Sequence, residues 1–300
     1  MKARIGIIGT GWVGTSVAFS TLLSGHAGEL WLHDQRADVA EGEAMDLADG
    51  AAFYPRCAVR AVPLEQMHGA DIVVLAAGRN GRPDESRLEL LRDNVRIAAG
   101  IGRVLAGSDA IVLVVTNPVD VLTRVVTEAS GLPPERVIGT GTLLDTARLR
   151  ERLAGRLGLS TQSIHAQVVG EHGDSSVVLW SGARVNGVAL RDWPGWQTEG
   201  EASLAQQVRR AAYEVIRRKG ATNHAIGLVT AELIGCIVND ERRLLPVSRV
   251  QPTGVSLSLP ALVGASGALR VVEPAMDAAE RAALEASASL LARAYESLNS

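Results

Sequence analysis

The sequence predicts an α/β protein in which a doubly wound parallel sheet precedes a mixed α+β domain. In the first half of the chain, short apolar segments alternate with helical patterns. Segments such as 72–77 and 111–115 are apolar at every position, which is typical of parallel strands buried on both faces. From about residue 143 this regular alternation stops. We therefore predict one domain at residues 1–142 and a second at 143–300.

Six strands and four helices are predicted in the first domain. The strands are expected at 4–8, 29–33, 58–61, 71–76, 110–116 and 136–139. The helices are expected at 13–24, 37–48, 87–106 and 118–130. A strand, a helix and a parallel strand form a right-handed unit, and its repetition produces one sheet with helices on both faces.

The second domain is predicted to mix helices with shorter strands. Helices are expected at 144–157, 201–219, 224–239 and 277–297. Strands are expected at 166–169, 177–180, 244–249 and 254–260. Because strands and helices do not alternate regularly here, the pattern indicates a mixed α+β arrangement.

Composition and charge exclude several classes of protein. The formal net charge of −3 is too small, and of the wrong sign, for a nucleic-acid-binding surface. No apolar stretch reaches about 18 residues, the length that a membrane span needs, and the first residues lack the apolar core of a signal peptide. Cys57 and Cys236 form no CxxC pair, so a disulfide framework is not expected. We expect a cytoplasmic protein without nucleic-acid or membrane partners and without a metal site.

A glycine-rich segment, Gly-Thr-Gly-Trp-Val-Gly at 9–14, follows the first predicted strand and opens the first helix. Gly9 permits the tight turn, Gly11 lets the backbone approach a pyrophosphate, and Gly14 lets helix and strand pack closely. The helix N-terminus would face the phosphate charge. The motif in this context predicts a Rossmann dinucleotide site, with Trp12 and Val13 also at the cofactor.

An acidic residue at the end of the second predicted strand indicates which dinucleotide is bound. Asp34 lies 20 residues after Gly14, where a carboxylate accepts hydrogen bonds from ribose hydroxyls and repels a 2′-phosphate. This favours NAD over NADP, although Arg36, two residues on, could accommodate a phosphate. The alternative is that Asp34 caps the helix predicted at 37–48.

A histidine between glycines, in Gly-Glu-His-Gly-Asp-Ser at 170–175, is the main catalytic candidate. Hydride transfer to a ketone needs a proton donor, and the reverse reaction needs a base, which histidine supplies near neutral pH. His172 also needs a carboxylate partner, and Asp145 is the candidate. Arg148, three residues further on one helix face, could bind a substrate carboxylate with two parallel bonds. The alternative is an ordinary surface pair between Asp145 and Arg148.

Several motifs together resemble one known family, the L-lactate/malate dehydrogenases, and bacterial L-lactate dehydrogenases most closely. The resemblance covers essentially the whole chain, with the motifs in the family's order and spacing. It implies hydride transfer between NAD(H) and C2 of a small 2-hydroxy or 2-oxo acid, with L-lactate and pyruvate favoured. Malate, or a broad range of branched 2-hydroxy acids, is the alternative. The motifs are GTGWVG at 9–14, TNPVD at 116–120, GTGTLLDTAR at 139–148, GEHGDS at 170–175 and VSLSLP at 255–260.

The resemblance implies a role for each catalytic candidate. His172 would be the acid and base, Asp145 its partner, and Arg148 the group that binds the substrate carboxylate. Residues 77–92 resemble the family's mobile lid. Within it, Arg87 would polarise the substrate carbonyl, the alternative being a solvated charge at a helix start.

Three further residues are implied to lie near the nicotinamide. Asn117 would lie beside the ring and help to orient the substrate. Gly78 and Thr116 would contact the cofactor.

The position that decides the substrate in this family carries an unusual residue here. Aligning the lid places Gly81 where lactate enzymes carry Gln and malate enzymes carry Arg. Glycine offers neither an amide nor a charge and widens the pocket, while Arg82 or Arg79 could stand in for the missing side chain. Thr222 matches a position that is Thr in lactate enzymes, so it favours lactate.

A regulatory site and an oligomer are also implied by the resemblance. Arg150 and His165 match the pair that binds fructose 1,6-bisphosphate between subunits of bacterial lactate dehydrogenases, so this sugar bisphosphate or phosphate is a candidate effector. The alternative is two unrelated surface cations. A homodimer or homotetramer is expected.

Two other functional classes are less consistent with the sequence. NAD-dependent glycosidases share a similar start but need a metal held by Cys and His, and Cys236 has no His at ligand spacing. A non-catalytic binding protein would not need His172, Asp145, Arg148 and Arg87 together.

Overall fold

A nine-stranded sheet runs through both halves of the chain in this computed structural model, which describes residues 3–79 and 87–298 but not the side chain of Arg87. From one edge to the other, the strand order is β14-β13-β12-β6-β5-β4-β1-β2-β3. Strands from the second half of the sequence therefore extend the sheet that the first half builds.

Six parallel strands form the N-terminal part of this sheet, as the sequence predicts. They are β1 (Ala3–Ile8), β2 (Ala27–His33), β3 (Ala58–Ala61), β4 (Ile72–Leu75), β5 (Ile111–Val114) and β6 (Val137–Gly139). They pair in the order β6-β5-β4-β1-β2-β3, so the strand order reverses between β1 and β4, the position where ligands bind in doubly wound sheets. Both β4 and β5 are buried at every position.

Four helices connect these strands and lie close to their predicted positions. They are α1 (Trp12–Ser24), α2 (Ala37–Asp49), α3 (Arg87–Val104) and α4 (Val119–Ser130). Glycines in the left-handed conformation, Gly25 and Gly131, end α1 and α4, because a residue without Cβ adopts this conformation without strain.

The second half follows the predicted mixed pattern, with additional short strands. Its helices are α5 (Leu143–Leu157), α6 (Glu201–Lys219), α7 (His224–Val238) and α8 (Ala278–Glu296). Short strands form two small sheets, β7 (Ile164–His165) with β10 (Arg184–Val185) and β11 (Val188–Ala189), and β8 (Val168–Val169) with β9 (Val177–Val178). The predicted strands do not include β7, β10 and β11, because two-residue strands are too short to show a period.

Three antiparallel strands join the parallel sheet at β6. They are β12 (Arg243–Val250), β13 (Ser256–Gly264) and β14 (Gly267–Val271). Ser248 pairs with Gly139 at this junction. A Cβ on Gly139 would lie 2.4 Å from the Thr123 hydroxyl and 3.0 Å from the Ser248 Cβ. The missing side chain therefore lets β12 and α4 approach β6 from two sides. The sequence analysis missed β14 and ended β13 four residues early.

Apolar cores lie on both faces of the sheet. On one face the side chains of β1 pack under α1 and α7, and on the other the sheet packs under α3 and α4. Helix α7 lies directly on α1, since a Cβ on Gly227 would be 2.7 Å from the Ser16 carbonyl oxygen. A helix of the second half is thereby held against the helix of the glycine-rich motif. None of the helices in the described part of the chain is both long and apolar enough to span a membrane.

Candidate active site

The glycine-rich turn at the end of β1 has the geometry that its sequence predicts. Gly9 has a φ of 95°, and a Cβ there would lie 2.5 Å from the Ala77 backbone nitrogen. A Cβ on Gly14 would lie 1.8 Å from the Gly9 carbonyl oxygen, whereas one on Gly11 would meet nothing within 4 Å. The fold itself therefore requires Gly9 and Gly14, while Gly11 leaves its backbone open to a ligand.

We expect alanine substitutions at Gly11 and Gly14 to have different effects. Gly14→Ala forces α1 away from the turn, and overpacking of this kind costs about 1–3 kcal/mol of the free energy of unfolding. Gly11→Ala is expected to leave Tm unchanged while weakening NADH binding, because only the ligand approaches that backbone. Thermal denaturation and NADH fluorescence titration check both. An equal loss of Tm in the two variants would contradict this assignment.

Asp34 ties the end of β2 to the glycine-rich turn. Its carboxylate accepts hydrogen bonds from the Thr10 backbone N–H at 3.0 Å, the Thr10 hydroxyl at 3.3 Å and the Arg36 backbone N–H at 3.1 Å. Burial opposes the charge, but these hydrogen bonds outweigh it and hold the pKa of Asp34 below its ordinary value. The alternative interpretation as a helix cap is wrong, because α2 begins after Arg36 with no side-chain cap. A charged carboxylate in this place fits a ribose-binding role.

Residues at the ends of β4 and β5 meet beside this turn. The Thr116 hydroxyl donates to the Ala77 carbonyl at 2.8 Å, and a Cβ on Gly78 would lie 2.5 Å from the Thr116 methyl. The Asn117 side chain accepts the Val119 backbone N–H at 3.3 Å, at the start of α4. The structure thus brings together Gly78, Thr116 and Asn117, and their contact with the cofactor stays a prediction.

One residue that sequence analysis missed holds this group in place. Asn94, on α3, is 4% exposed. Its side chain accepts the Arg79 backbone N–H at 2.9 Å and donates to the Asn117 carbonyl at 3.4 Å. Helix α3 is therefore linked to the backbone of both neighbouring strand ends.

His172, Asp145 and Arg148 form one hydrogen-bonded cluster. The Asp145 carboxylate lies 2.6 Å from the Nδ1 atom of His172 and accepts from the Arg148 guanidinium at 3.0 Å. The side chain of Asp145 is 8% exposed and that of Arg148 is 16% exposed. The alternative of a solvated surface pair is wrong, because both charges are buried and share a histidine partner.

The electrostatics of the cluster favour a charged pair. Burial would raise the pKa of Asp145, but the hydrogen bond and charge of His172, with Arg148 adding to them, hold it below its ordinary value. Burial would lower the pKa of His172, but the contact with Asp145 outweighs it and raises this pKa above 6.5. The imidazole is therefore readily protonated near neutral pH.

The loop that carries His172 is anchored from two other elements. The backbone N–H of His172 donates to Asp120 of α4 at 2.8 Å, and that of Glu171 donates to Ser287 of α8 at 2.9 Å. A Cβ on Gly170 would lie 2.8 Å from the Ser287 hydroxyl. Sequence analysis missed these anchors, although Asp120 stands inside the quoted TNPVD motif.

A cleft of about 470 Å³ opens beside the His172 cluster. Asn117, Asp145, Arg148 and His172 line it, together with Leu90, Leu91, Asn94, Pro118, Gly173, Asp174, Arg209, Ala212, Tyr213 and Ile216. The lining therefore combines polar groups that can bind a small acid with apolar side chains.

Several other polar groups that line the cleft already have hydrogen-bond partners. The Arg209 guanidinium donates to the Ser176 carbonyl at 3.1 and 2.8 Å, and the Tyr213 hydroxyl lies 3.4 Å from the Asp174 carboxylate. Arg79, one candidate stand-in for the specificity residue, instead donates from Nε to Asp93 at 2.7 Å.

Four residues that were predicted to lie at the substrate site are not found among the described residues that line the cleft. Thr222 is half-buried but is not among the described residues that line the cleft. Gly81 and Arg82 lie outside the described residues, as does the side chain of Arg87.

A second cavity of about 530 Å³ contains the predicted anion-site pair, Arg150 and His165. Arg184 lines it as well. Arg150 donates from Nε to the Ala166 carbonyl at 2.9 Å, and burial, with the charge of Arg243, lowers its pKa. Arg150, His165 and Arg184 therefore line one cavity.

The described part of the chain contains no cluster of three His, Cys, Asp or Glu side chains suited to a metal ion. The groups at the site, a glycine turn, the Asp34 carboxylate and a His–Asp–Arg cluster, suit a dinucleotide and a small acid.

Comparison with known proteins gives one consistent result. The family model for the lactate/malate dehydrogenase NAD binding domain matches residues 3–139, and the model for the lactate/malate dehydrogenase alpha/beta C-terminal domain matches residues 142–299. The chain is 41% identical to an L-lactate dehydrogenase of Synechococcus sp. (strain JA-3-3Ab), covering 97% of this chain and 98% of that one. It is 42% identical to an L-lactate dehydrogenase of Thermus aquaticus, covering 98% and 99%.

A solved structure agrees with these relatives. The minor L-lactate dehydrogenase from Enterococcus mundtii, in a ligand-bound form, superposes with a TM-score of 0.96 at 36% identity, covering 99% of this chain and 98% of that one. From its sequence, its fold and its site, this chain belongs to the lactate/malate dehydrogenase family.

Proposed function

We propose that this protein is an NAD-dependent L-lactate dehydrogenase that interconverts pyruvate and L-lactate. The observation that carries the proposal is the buried cluster of His172, Asp145 and Arg148 beside a cleft of small-acid size. Its L-lactate dehydrogenase relatives, similar over nearly their full length, support the same activity.

The residues at the sheet edge fit NAD. Gly11 leaves its backbone open, the Asp34 carboxylate is charged, and the N-terminus of α1 follows the turn. We infer that Gly9, Gly11, Trp12, Val13 and Gly14 contact the dinucleotide. Asp34 would bind the ribose, and Gly78, Thr116 and Asn117 would lie toward the nicotinamide. When bound, the reduced cofactor supplies the hydride.

The chain's own groups would bind the acid and move the proton. Arg148 holds the substrate carboxylate, since a guanidinium makes two parallel bonds with such a group. Because Nδ1 of His172 contacts Asp145, the proton exchanged with the C2 oxygen is carried on Nε2. Asp145 stabilises the protonated ring before the proton is transferred. Arg87 is proposed to polarise the carbonyl, and Gly81, Arg82 and Thr222 stay predicted substrate contacts.

The cleft favours a substrate with one carboxylate. Among the described residues that line it, the arginines are Arg148 and Arg209, and Arg209 is engaged with the Ser176 carbonyl. Asp174 also lines the cleft and adds a negative charge. Leu90, Leu91 and Ile216 add apolar side chains to the lining, so apolar 2-oxo acids somewhat larger than pyruvate are a second substrate class.

Regulation by an anion is proposed at the second cavity. Arg150, His165 and Arg184 would bind fructose 1,6-bisphosphate or phosphate, and the effect on catalysis requires that the anion bind two states of the enzyme with different affinity. We further propose that the chain forms a homodimer or homotetramer, works in the cytoplasm, and divides into domains at residues 142 and 143.

A substrate panel with NADH, run with and without fructose 1,6-bisphosphate, tests these proposals. We expect kcat/KM for pyruvate to exceed that for oxaloacetate by at least about tenfold, because the second carboxylate meets Asp174 rather than a cation. Each methylene buried by a larger 2-oxo acid favours binding by about 0.8 kcal/mol. A preference for oxaloacetate would contradict the lactate assignment, and an unchanged KM with the bisphosphate would contradict the regulatory site.

A further inference from the structure

Asp120 is a buried carboxylate that directly contacts the backbone of the histidine loop. It lies in the first turn of α4, three residues after Asn117, and is 2% exposed. One oxygen accepts the His172 backbone N–H at 2.8 Å. The other oxygen, Oδ1, is buried and has no hydrogen-bond partner among the described residues. The group is thus enclosed but only half satisfied.

Burying a carboxylate with one unpaired oxygen costs more free energy than a neutral acceptor for the same backbone amide would. Burial raises the pKa of Asp120 to about 6, although the nearby hydroxyl of Ser248, which lies 3.1 Å from its hydrogen-bond partner, the Ser256 hydroxyl, and the amide of His172 act in the opposite direction. A serine or asparagine side chain accepts the same bond without a buried charge. The hydrogen bond alone therefore does not account for aspartate at this position.

The charge of Asp120 acts on the imidazole of His172. Burial lowers the pKa of His172, but Asp145 raises it, Asp120 raises it further, and Arg148 lowers it. The other charged group acting on Asp120 is Glu171, on the histidine loop. Asp120 also lines a small cavity together with Arg124 and Tyr295. The Arg124 guanidinium is paired with Glu128. Asp120 is thus a second carboxylate acting on the ring.

We propose that Asp120 is a positioning residue that holds the His172 loop through its backbone amide and stabilises the protonated imidazole with its negative charge. The proposal rests on the proposed function, in which His172 carries the proton. It also links two sites, because Asp120 lies in the first turn of α4 and the cofactor-side Asn117 lies two residues before that helix begins. Asp120 thereby connects the segment that follows β5 with the loop that carries His172.

The direct test is the titration of the His172 ring by NMR, in protein labelled at histidine. The chain has six histidines, and His172→Asn identifies the resonance. In Asp120→Asn, which keeps an acceptor for the backbone amide but removes the charge, we expect His172 to titrate at lower pH than in the wild type. Asp120→Ser serves the same purpose if the asparagine variant does not fold.

Glu128→Gln is the matched control, because it removes one negative charge from the same helix about 12 Å further along, at 1.5 Å per residue. We expect it to leave the His172 titration unchanged. In pyruvate reduction, Asp120→Asn is expected to lower kcat/KM near pH 7.5 about tenfold, the equivalent of one charge-assisted interaction, with the loss largely in kcat. Asp120→Ala, which also frees the backbone amide, is expected to lose more.

Two results would overturn the proposal. The role of the charge is wrong if the neutral variants titrate like the wild type, and the anchoring role is wrong if Asp120→Ala has the same kcat as Asp120→Asn. The titration requires no turnover. Failure of the wild type to reduce pyruvate would therefore contradict the proposed function without deciding this inference.

Discussion

Replacing His172 with asparagine is expected to lower kcat/KM for pyruvate reduction by about 10²–10⁴-fold, the usual contribution of a positioned acid or base. Asparagine can still hydrogen-bond to Asp145 but cannot carry a proton to the C2 oxygen. NADH binding is expected to stay unchanged, because the glycine-rich turn is formed by β1 and α1. Steady-state oxidation of NADH and a separate NADH titration measure the two quantities.

His68→Asn is the matched control for this experiment, since His68 is exposed and contacts only the Ala106 carbonyl, at 3.3 Å, among the described residues. It should have wild-type kinetics. If the His172 variant retained wild-type kcat/KM while binding NADH normally, the proton would have to come from another group and the assigned mechanism would be wrong.

The pH profile of the wild type follows from the same pair. Pyruvate reduction uses protonated His172, so kcat/KM should be constant at low pH and should fall as pH rises through the pKa of His172, which Asp145 raises above 6.5. In Asp145→Asn the fall in kcat/KM should begin at lower pH.

The folded protein also holds the proton on His172 more tightly than the unfolded chain does. Its contribution to stability is therefore complete below about pH 6.5 and is lost as pH rises through the folded-state pKa.

Replacing Arg148 with glutamine is expected to lower kcat/KM for pyruvate by about 10²–10⁴-fold, because two charge-assisted hydrogen bonds to the substrate carboxylate are worth roughly 1.5–3 kcal/mol each. A large part of the loss should be in KM, since these bonds are present in the ground state as well as in the transition state. Saturation kinetics over a wide pyruvate range separate the two parameters.

Two further variants sharpen this prediction. Arg148→Lys keeps the charge but not the paired geometry, so its activity should be intermediate. Arg152→Gln, one turn further along α5, changes a half-buried arginine that hydrogen-bonds to Gln207 and is not among the described residues that line the cleft, so it should leave KM unchanged. Because the charge of Arg148 lowers the pKa of His172, the glutamine variant should also keep its activity to higher pH. An unchanged KM in Arg148→Gln would place the substrate carboxylate elsewhere.

Much of this protein could be predicted from local patterns. The glycine-rich turn, the acid that ends the second strand and the helices of both halves follow from residue spacing, helix periods and glycine ends, which act within a few residues. The partnership of Asp145 and Arg148 is also local, since it needs only one helical turn. Chemical reasoning named Asp145 only as a candidate partner of His172, and the resemblance to a known family supported that choice, because no local rule brings together residues 27 positions apart.

Only the tertiary structure decided how distant segments meet. Strands β12–β14 join the first sheet at Gly139 because an absent side chain leaves room for Ser248. The His172 loop is held by Asp120 and Ser287, across separations of 52 and 116 residues. Arg79, a candidate for the specificity role by sequence, is engaged by Asp93 on α3. Local patterns encode elements because period and backbone conformation are properties of short segments. Contacts between elements depend on how their surfaces pack, which no short segment contains.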